Sequence, residues 1–322
     1  MTAAVTVVVC SRDRPERLAG SLAGVRASLR EGDQLVVVDS ASVDDRTRQV
    51  GAAAGALVVR CERPGLSRAR NAGVAAALHP VVLFTDDDCV PEPGWVAAMA
   101  AAFAADPRLG AAMGRVADAG GGGVPTSVDA APVGDGELPV LVPFTAADPL
   151  DQVGHGANCG FRTAALHEIG GFDVLLGAGE RLCAGEDKDA VHRLLAAGWH
   201  GAAVPGSVVG HASWRSRRAA VRLSYGYGLG FGALAAKAAR ADRTAGRRLA
   251  WRAVGPAGLG QALRALRDRY VTGVLVCLAW TAGSVAGLLR GWRMPLWRGL
   301  FHVPDEQPPA APLPAASGAQ AP

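Results

Sequence analysis

Val81-Val82-Leu83-Phe84-Thr85 runs directly into Asp86-Asp87-Asp88, and Cys89-Val90-Pro91 follows. The apolar run has the length and composition of a buried strand, which puts the aspartates at its carboxyl tip. Three adjacent carboxylates repel one another unless a positive charge sits among them. A divalent cation carrying phosphates relieves that repulsion, because hard cations take oxygen ligands. In an open α/β sheet the carboxyl ends of the strands are also where ligands bind. An aspartate capping the helix expected near Pro91–Phe103 accounts for one carboxylate but not for three. The triplet therefore points to a metal-bound phosphate compound.

Working outward, residues 4–10, 35–38 and 56–59 are further short apolar runs rich in β-branched side chains. Between them lie segments of helical spacing: Leu18, Leu22, Val25 and Leu29 on one face, then about Asp44 to Ala54, then Ser67 to Leu78. Near-continuous apolar strands alternating with helices predict a parallel sheet covered on both faces. The first strand is followed by Ser11-Arg12-Asp13-Arg14-Pro15 and not by Gly-x-Gly-x-x-Gly, which argues against a nicotinamide enzyme. Further on, a short helix is expected over 163–169, a longer one from Glu186 to Ala197, and two short strands near 201–204 and 207–211. The stretch 117–153, with Gly120 to Gly123 and a series of prolines, is a loop-rich insertion, either a lid or a surface excursion. Its glycines lack a following Lys-Ser/Thr, so it is not a phosphate loop.

The chain has 322 residues, half of them hydrophobic, and a formal net charge of +4. That length permits one large domain or one domain with an appendage. The basic residues are nearly all arginine, with lysine only at 188 and 237, and they concentrate between Arg215 and Arg298. This stretch lacks the aromatic interleaving of a single-strand groove, so no nucleic acid partner is expected. The six cysteines are scattered without C-x-x-C and read as core residues of a reducing compartment. No basic, apolar and cleavage-site succession opens the chain, which places the catalytic portion in the cytosol as an expectation. Val271 to Leu289 carries no charge over 19 residues and is flanked by arginines. As a helix it measures about 28 Å, enough for a bilayer core, and membrane insertion or surface association is favoured over a buried helix. The tail 304–322 is rich in Pro and Ala and reads as disordered.

Four further groupings stand out. Glu186-Asp187 opens a helix after a glycine-rich approach; the helix dipole alone accounts for acidic residues there, but a carboxylate in that setting also suits a general base. Asp39, at the tip of the second strand, is either a solvated loop residue or an acceptor for a ribose hydroxyl or a base N–H. Arg70 and Asn71 lie early in the third helix, where arginine pairs with phosphate. His211 ends the last short strand; a lone histidine is more often structural than a ligand.

Taken in order, these segments resemble the family-two glycosyltransferases of GT-A fold, over residues 4 to about 240. The resemblance rests on Val7 to Pro15, Asp39, Ala69-Arg70-Asn71-Ala72-Gly73, the D-x-D of Asp86 and Asp88, Asn158 to Arg162, Gly170 to Asp173, Glu186-Asp187 and His211. It implies a Rossmann-like mixed, mostly parallel sheet with helices on both faces. The expected divisions are 1–215 as catalytic domain, 216–303 as a helical membrane-associated region and 304–322 as tail. It implies inverting transfer from a nucleoside-diphosphate sugar, with Mg²⁺ or Mn²⁺, to a lipid-linked or cell-envelope acceptor at the cytoplasmic membrane face. Carried over by residue, Asp187 would be the base and Glu186 its neighbour at the reacting sugar. Ser11, Arg12, Asp39, Arg70, Asn71, Asp86 and Asp87 would bind the donor. Asp88, Asp86 and His211 would hold the metal, and Asn158, Gly160 and Trp95 would lie on the acceptor side. The competing readings are a sugar-phosphate nucleotidyltransferase, which wants glycines where residues 11–15 have none, and a catalytically silent binding module, which would lose Asp88 or Asp187.

Overall fold

The computed structural model describes residues 2–120, 142–145, 153–212 and 215–302. Strands β1 (Thr6–Ser11), β2 (Gln34–Ser40) and β4 (Val81–Asp86) form the parallel centre of the sheet, with β3 (Leu57–Cys61) at its edge. The near-continuous apolar runs are buried on both sides in β1, β2 and β4, whereas β3 is half open to solvent. Helices α1 (Pro15–Ser28), α2 (Arg46–Ala53) and α3 (Leu66–Ala75) make the crossovers that parallel pairing requires.

Past β4 the sheet becomes mixed. It runs β3-β2-β1-β4-β8-β6-β9-β5, where β5 is Cys89–Pro91, β6 Leu109–Asp118, β8 Asn158–Arg162 and β9 His200–His211. Helix α4 (Trp95–Ala105) lies between β5 and β6, and α5 (Thr163–Glu168) and α6 (Glu186–Ala196) lie between β8 and β9. The two short strands expected at 201–204 and 207–211 are one strand. Its register against β6 jumps from Gly114↔Val204 to Arg115↔Val208. Pro205, which has no N–H to give, sits in that break, so the ladder bulges and resumes. In the expected insertion, β6 extends to Asp118, and β7 (Val142–Phe144) pairs antiparallel with β9. The rest of the insertion and the Pro/Ala tail lie outside the described residues.

Strand alternation divides the core between the two faces of the sheet. Val7 and Val9 pack with Leu18, Leu22, Trp95 and Met99 on one side. Val8, Val36 and Phe84 pack with Phe161, Phe172 and Leu234 on the other. Phe84, Phe161 and Phe172 meet edge to face at centroid separations of 5.4 to 6.2 Å. Each such buried ring contributes roughly 1.5–3 kcal/mol.

The C-terminal helices are joined to this core. Helix α7 (Arg217–Ala241) starts at the Ser216 cap and puts Leu234, Ala235 and Ala238 into the same cluster as Phe84. After α8 (Arg243–Val254), a π-helical turn (Gly255–Gly260) and α9 (Gln261–Arg267), helix α10 (Val271–Arg293) returns along α7. The two approach closely because glycines line the contact: a methyl group on Gly228 or Gly232 would collide with the carbonyls of Trp280 or Ser284, and one on Gly283 or Gly287 with those of Tyr225 or Leu229. Finally β10 (Leu296–Trp297) and β11 (Leu300–Phe301) form a small hairpin. The Phe301 N–H donates to Asp173, which also pairs with Lys237 of α7.

Candidate active site

Parallel register collects the strand tips at one edge: Ser11 stands beside Asp39, Cys10 beside Asp86 and Asp39 beside Arg60. Below that edge opens a cleft of about 460 Å³. The carboxylate triplet lines it from the strand-tip side, and His155, Glu186 and Asp187 line it from the side of the 154–157 turn and α6.

On the first wall, Ser11 Oγ donates to Asp87 Oδ2 at 2.7 Å and Arg14 donates to Asp87 Oδ1 at 3.2 Å. Arg14 also comes within 3.9 Å of Asp88. Burial pushes the Asp87 carboxyl up to about 6, against the pull of Arg14 and Ser11. The pairing of β5 with β9 sets Cys89 opposite His211, which brings His211 Nε2 to 3.5 Å from Asp88 Oδ1. Ligand atoms of Asp88, Cys89 and His211 lie within 4.8 Å of one another. The Asp88 carboxylate is a hard oxygen ligand of the kind that suits Mg²⁺ or Mn²⁺, whereas the His211 imidazole is a ligand more typical of later transition metals. Burial and the neighbouring Asp86 and Asp88 charges push the Cys89 thiol up. Asp86 faces elsewhere, 3.6 Å from Arg70, outside the Asp88–His211 group to which the resemblance assigned it.

On the second wall, Gly185 takes a left-handed φ of 89° and turns the chain into α6, so Glu186 and Asp187 occupy its first turn. Arg70, itself 2% exposed, donates to Glu186 Oε1 at 2.9 Å and to the Gly156 carbonyl at 2.9 Å. Its guanidinium stacks 5.6 Å from the Phe84 and Phe172 rings. Burial drives the Glu186 carboxyl up, only partly offset by Arg70. Asp187 is also buried, but Lys188, His155 and Arg70 outweigh that burial and hold it below the ordinary carboxylate range. Lys188 is oriented by a hydrogen bond to the Gly154 carbonyl. Burial lowers the His155 pKa, against the opposing pull of Asp187 and Asp86. Cys10 and Cys159 are buried thiols pushed up to about 12, so neither supplies a thiolate.

Several expected site residues are placed differently. Trp95, Asn158 and Gly160 are core residues, not acceptor-side groups. Trp95 Nε1 donates to Asn158 Oδ1 at 2.8 Å, and Asn158 Nδ2 donates to the Arg115 and Ser207 carbonyls. A side chain at Gly160 would run into Leu83 and Phe103. Asn71 holds Phe172 by both its N–H and its carbonyl, bracing the Gly170-Gly171-Phe172 loop. Arg12 lines the cleft mouth but pairs with its neighbour Asp13 at 3.5 Å, and Arg14 is the arginine that reaches the triplet. Asp39 is buried, paired with Arg60 at 2.6 Å and bonded to the Ser42 N–H. It lines a separate pocket with Ser42 and Arg48. His155, Tyr227 and Trp280 stand in no local motif that marks the cleft, and Lys188 follows the acidic pair that was read without it.

The sheet with an acidic carboxyl edge facing a helix N-terminus defines a GT-A-like α/β architecture. The chain belongs to glycosyl transferase family 2, whose family model matches residues 6–170. A pre-mycofactocin glycosyltransferase of Mycobacterium tuberculosis is 30% identical over 208 residues, 60% of this chain and 39% of that protein. A glycosyltransferase of Mycobacterium bovis is 44% identical over 85 residues, 26% of this chain and 37% of its own. The chain thus spans well under half the length of these relatives. A mannosyltransferase of Pyrobaculum calidifontis, solved with GDP-Man and Mn²⁺, superposes with a TM-score of 0.59 at 18% identity. The match covers 90% of this chain and 88% of that one, and shares the fold.

Proposed function

We propose that the protein is an inverting, metal-assisted glycosyltransferase that moves a sugar from a nucleoside diphosphate to an acceptor hydroxyl of a lipid-linked or cell-envelope compound. The observation that carries this is one cleft lined both by the Asp88–His211 pair at the strand tips and by the Asp187 carboxylate at the head of α6. The Mn²⁺ and GDP-Man of the Pyrobaculum enzyme support the choice of cofactor and donor class. Asp88 and His211 would hold Mg²⁺ or Mn²⁺, which when bound supplies Lewis-acid neutralisation of the leaving diphosphate.

The chain's own residues do the rest. Asp187, kept ionised by Lys188 and His155, accepts the proton of the acceptor hydroxyl as that oxygen attacks the anomeric carbon. Glu186 is pinned by Arg70 and sets the floor of the sugar site. Ser11 and Arg14 fix Asp87 toward the ribose and diphosphate. One base suffices because departure of the diphosphate needs no second carboxylic acid, unlike a glycosidase.

The membrane reading also has support. Helix α10 is apolar and long enough to cross a bilayer, yet only 17% of its most apolar window is buried. Leu263, Val271, Leu275, Leu289 and Trp292 are exposed, with Arg264, Arg267, Arg290 and Arg293 close by in the chain. Because α10 is clasped along α7, which is itself anchored in the core, we place it in the plane of an anionic membrane surface. The test is to incubate the protein with a panel of nucleotide sugars and Mn²⁺ and to measure nucleoside diphosphate release. Pyrophosphate release from a sugar phosphate and a nucleoside triphosphate would instead indicate a nucleotidyltransferase. Flotation with anionic vesicles tests the membrane surface.

A further inference from the structure

The catalytic cleft has a third wall that the transfer chemistry does not use. Leu223, Tyr227 and Phe231 recur every fourth residue along α7, so they form one stripe on that helix. All three line the cleft that holds Asp88 and Asp187, and Trp280 of α10 lines it with them. The Phe231 and Trp280 rings meet at 5.3 Å, tilted by 47°. Trp280 Nε1 already donates to the Ala253 carbonyl at 2.8 Å, so its polar atom is spent and the indole contributes carbon surface. The stripe is only partly buried, although the glycines beside it on α7 are packed tightly against α10 and the 183–184 turn.

The phosphates and hydroxyls of a sugar nucleotide would lose hydrogen bonds against this wall that it cannot replace, and the base, whose face could stack on an aromatic ring, is expected at Asp39, which lines a separate pocket. The wall suits hydrocarbon. From Leu223 to Phe231 it extends about 12 Å along the helix. Tyr227 lies midway along it, and burial, joined by the charges of Asp86, Glu186 and Asp88 against that of Arg215, pushes its phenol up to about 12. Helix α10, which closes this wall, presents the exposed, arginine-flanked apolar side described above, so the wall adjoins the proposed membrane surface.

We propose that Leu223, Tyr227, Phe231 and Trp280 form an acceptor subsite that takes the alkyl or isoprenoid chain of a membrane lipid, leaving its head-group hydroxyl at Asp187. This rests on the glycosyl-transfer reading and names the acceptor class for it. Chain recognition sits in the cleft itself, between α7 and the start of α6, and not only on the outer face of α10.

The test uses the full chain and alkyl β-glucosides from methyl to dodecyl, kept below micelle formation, with a diazirine-bearing octyl glucoside as photoprobe. Labelling is expected on the peptides holding residues 223–231 and Trp280. Competition should improve with chain length by up to about fourfold per methylene. Phe231→Ser and Trp280→Ser should flatten that dependence, and Trp280→Phe should keep it. Labelling confined to the outer face at Leu275 to Leu289, absent labelling, or a chain-length dependence unchanged in correctly melting serine variants would overturn the proposal. If a serine variant does not fold, the wild-type label map decides alone. Nucleoside diphosphate release from the wild type separates the two readings. Release with labelling elsewhere removes only the subsite, whereas no release with any donor removes the transferase reading.

Discussion

Two buried aspartates face one cleft and shift in opposite directions. At the tip of β4, Asp87 meets Arg14, a side chain 39% exposed, and burial still drives its carboxyl up to about 6. At the head of α6, Asp187 is as fully enclosed, yet its own neighbours Lys188 and His155, with Arg70 behind, pull it down. The same residue type thus shifts in opposite directions because one site is short of positive charge and the other carries it built in. A tip short of charge suits an incoming cation with its phosphates. A head already compensated suits a base that must be ionised before substrate arrives.

The comparison breaks most sharply at Asp187. Asp187→Asn should cut transfer by about 10²–10⁴-fold while nucleotide binding, read by calorimetry, survives. Loss of nucleotide binding in that variant would remove Asp187 from the base role. Arg70→Met comes next. It leaves Glu186 buried without its guanidinium and should destabilise the fold by about 3–5 kcal/mol in urea melts, since breaking one side of a buried pair strands the other. Asp88→Ala should weaken Mn²⁺-dependent donor binding by about tenfold or more, with little change in metal-free binding. Unchanged Mn²⁺ dependence would mean the tip is not the metal site.

The smallest effect is the most diagnostic. Asp187 has a depressed folded pKa, so its ionised form, and the stability it adds, are present above the unfolded carboxylate value and lost only as pH falls through the lower folded one. The acid limb of kcat/KM should therefore lie below the ordinary carboxylate range. Lys188→Met removes the largest opposing charge and should move that limb to higher pH; a limb that does not move would mean another group controls it.

Much of this was legible in the chain. The runs at β1, β2 and β4 are apolar whichever way they face, so their burial on both sides follows from local composition. Asp86-Asp87-Asp88 and Glu186-Asp187 announced themselves because like charges in sequence are like charges in space. Roles that depend on distant partners were not legible. Asn158 and Trp95 look polar or amphipathic enough for a binding site, but they satisfy each other 63 residues apart inside the core. Arg12 and Arg14 are equivalent in sequence, and only the turn into α1 decides which one reaches Asp87. The single strand β9 read as two short ones because a single sequence cannot show that β6 tolerates a bulge opposite it.

By itself, then, the sequence determined the parallel half-sheet, the acidic tip and the apolar last helix, since periodicity and composition act within a few residues. Only the tertiary structure decided that Asp88 meets His211, that Arg70 neutralises Glu186, and that a stripe on α7 closes the cleft with hydrocarbon. Those depend on strand register and on glycine-to-backbone contact between helices, which join residues far apart in the chain and are set by the packing of the whole molecule.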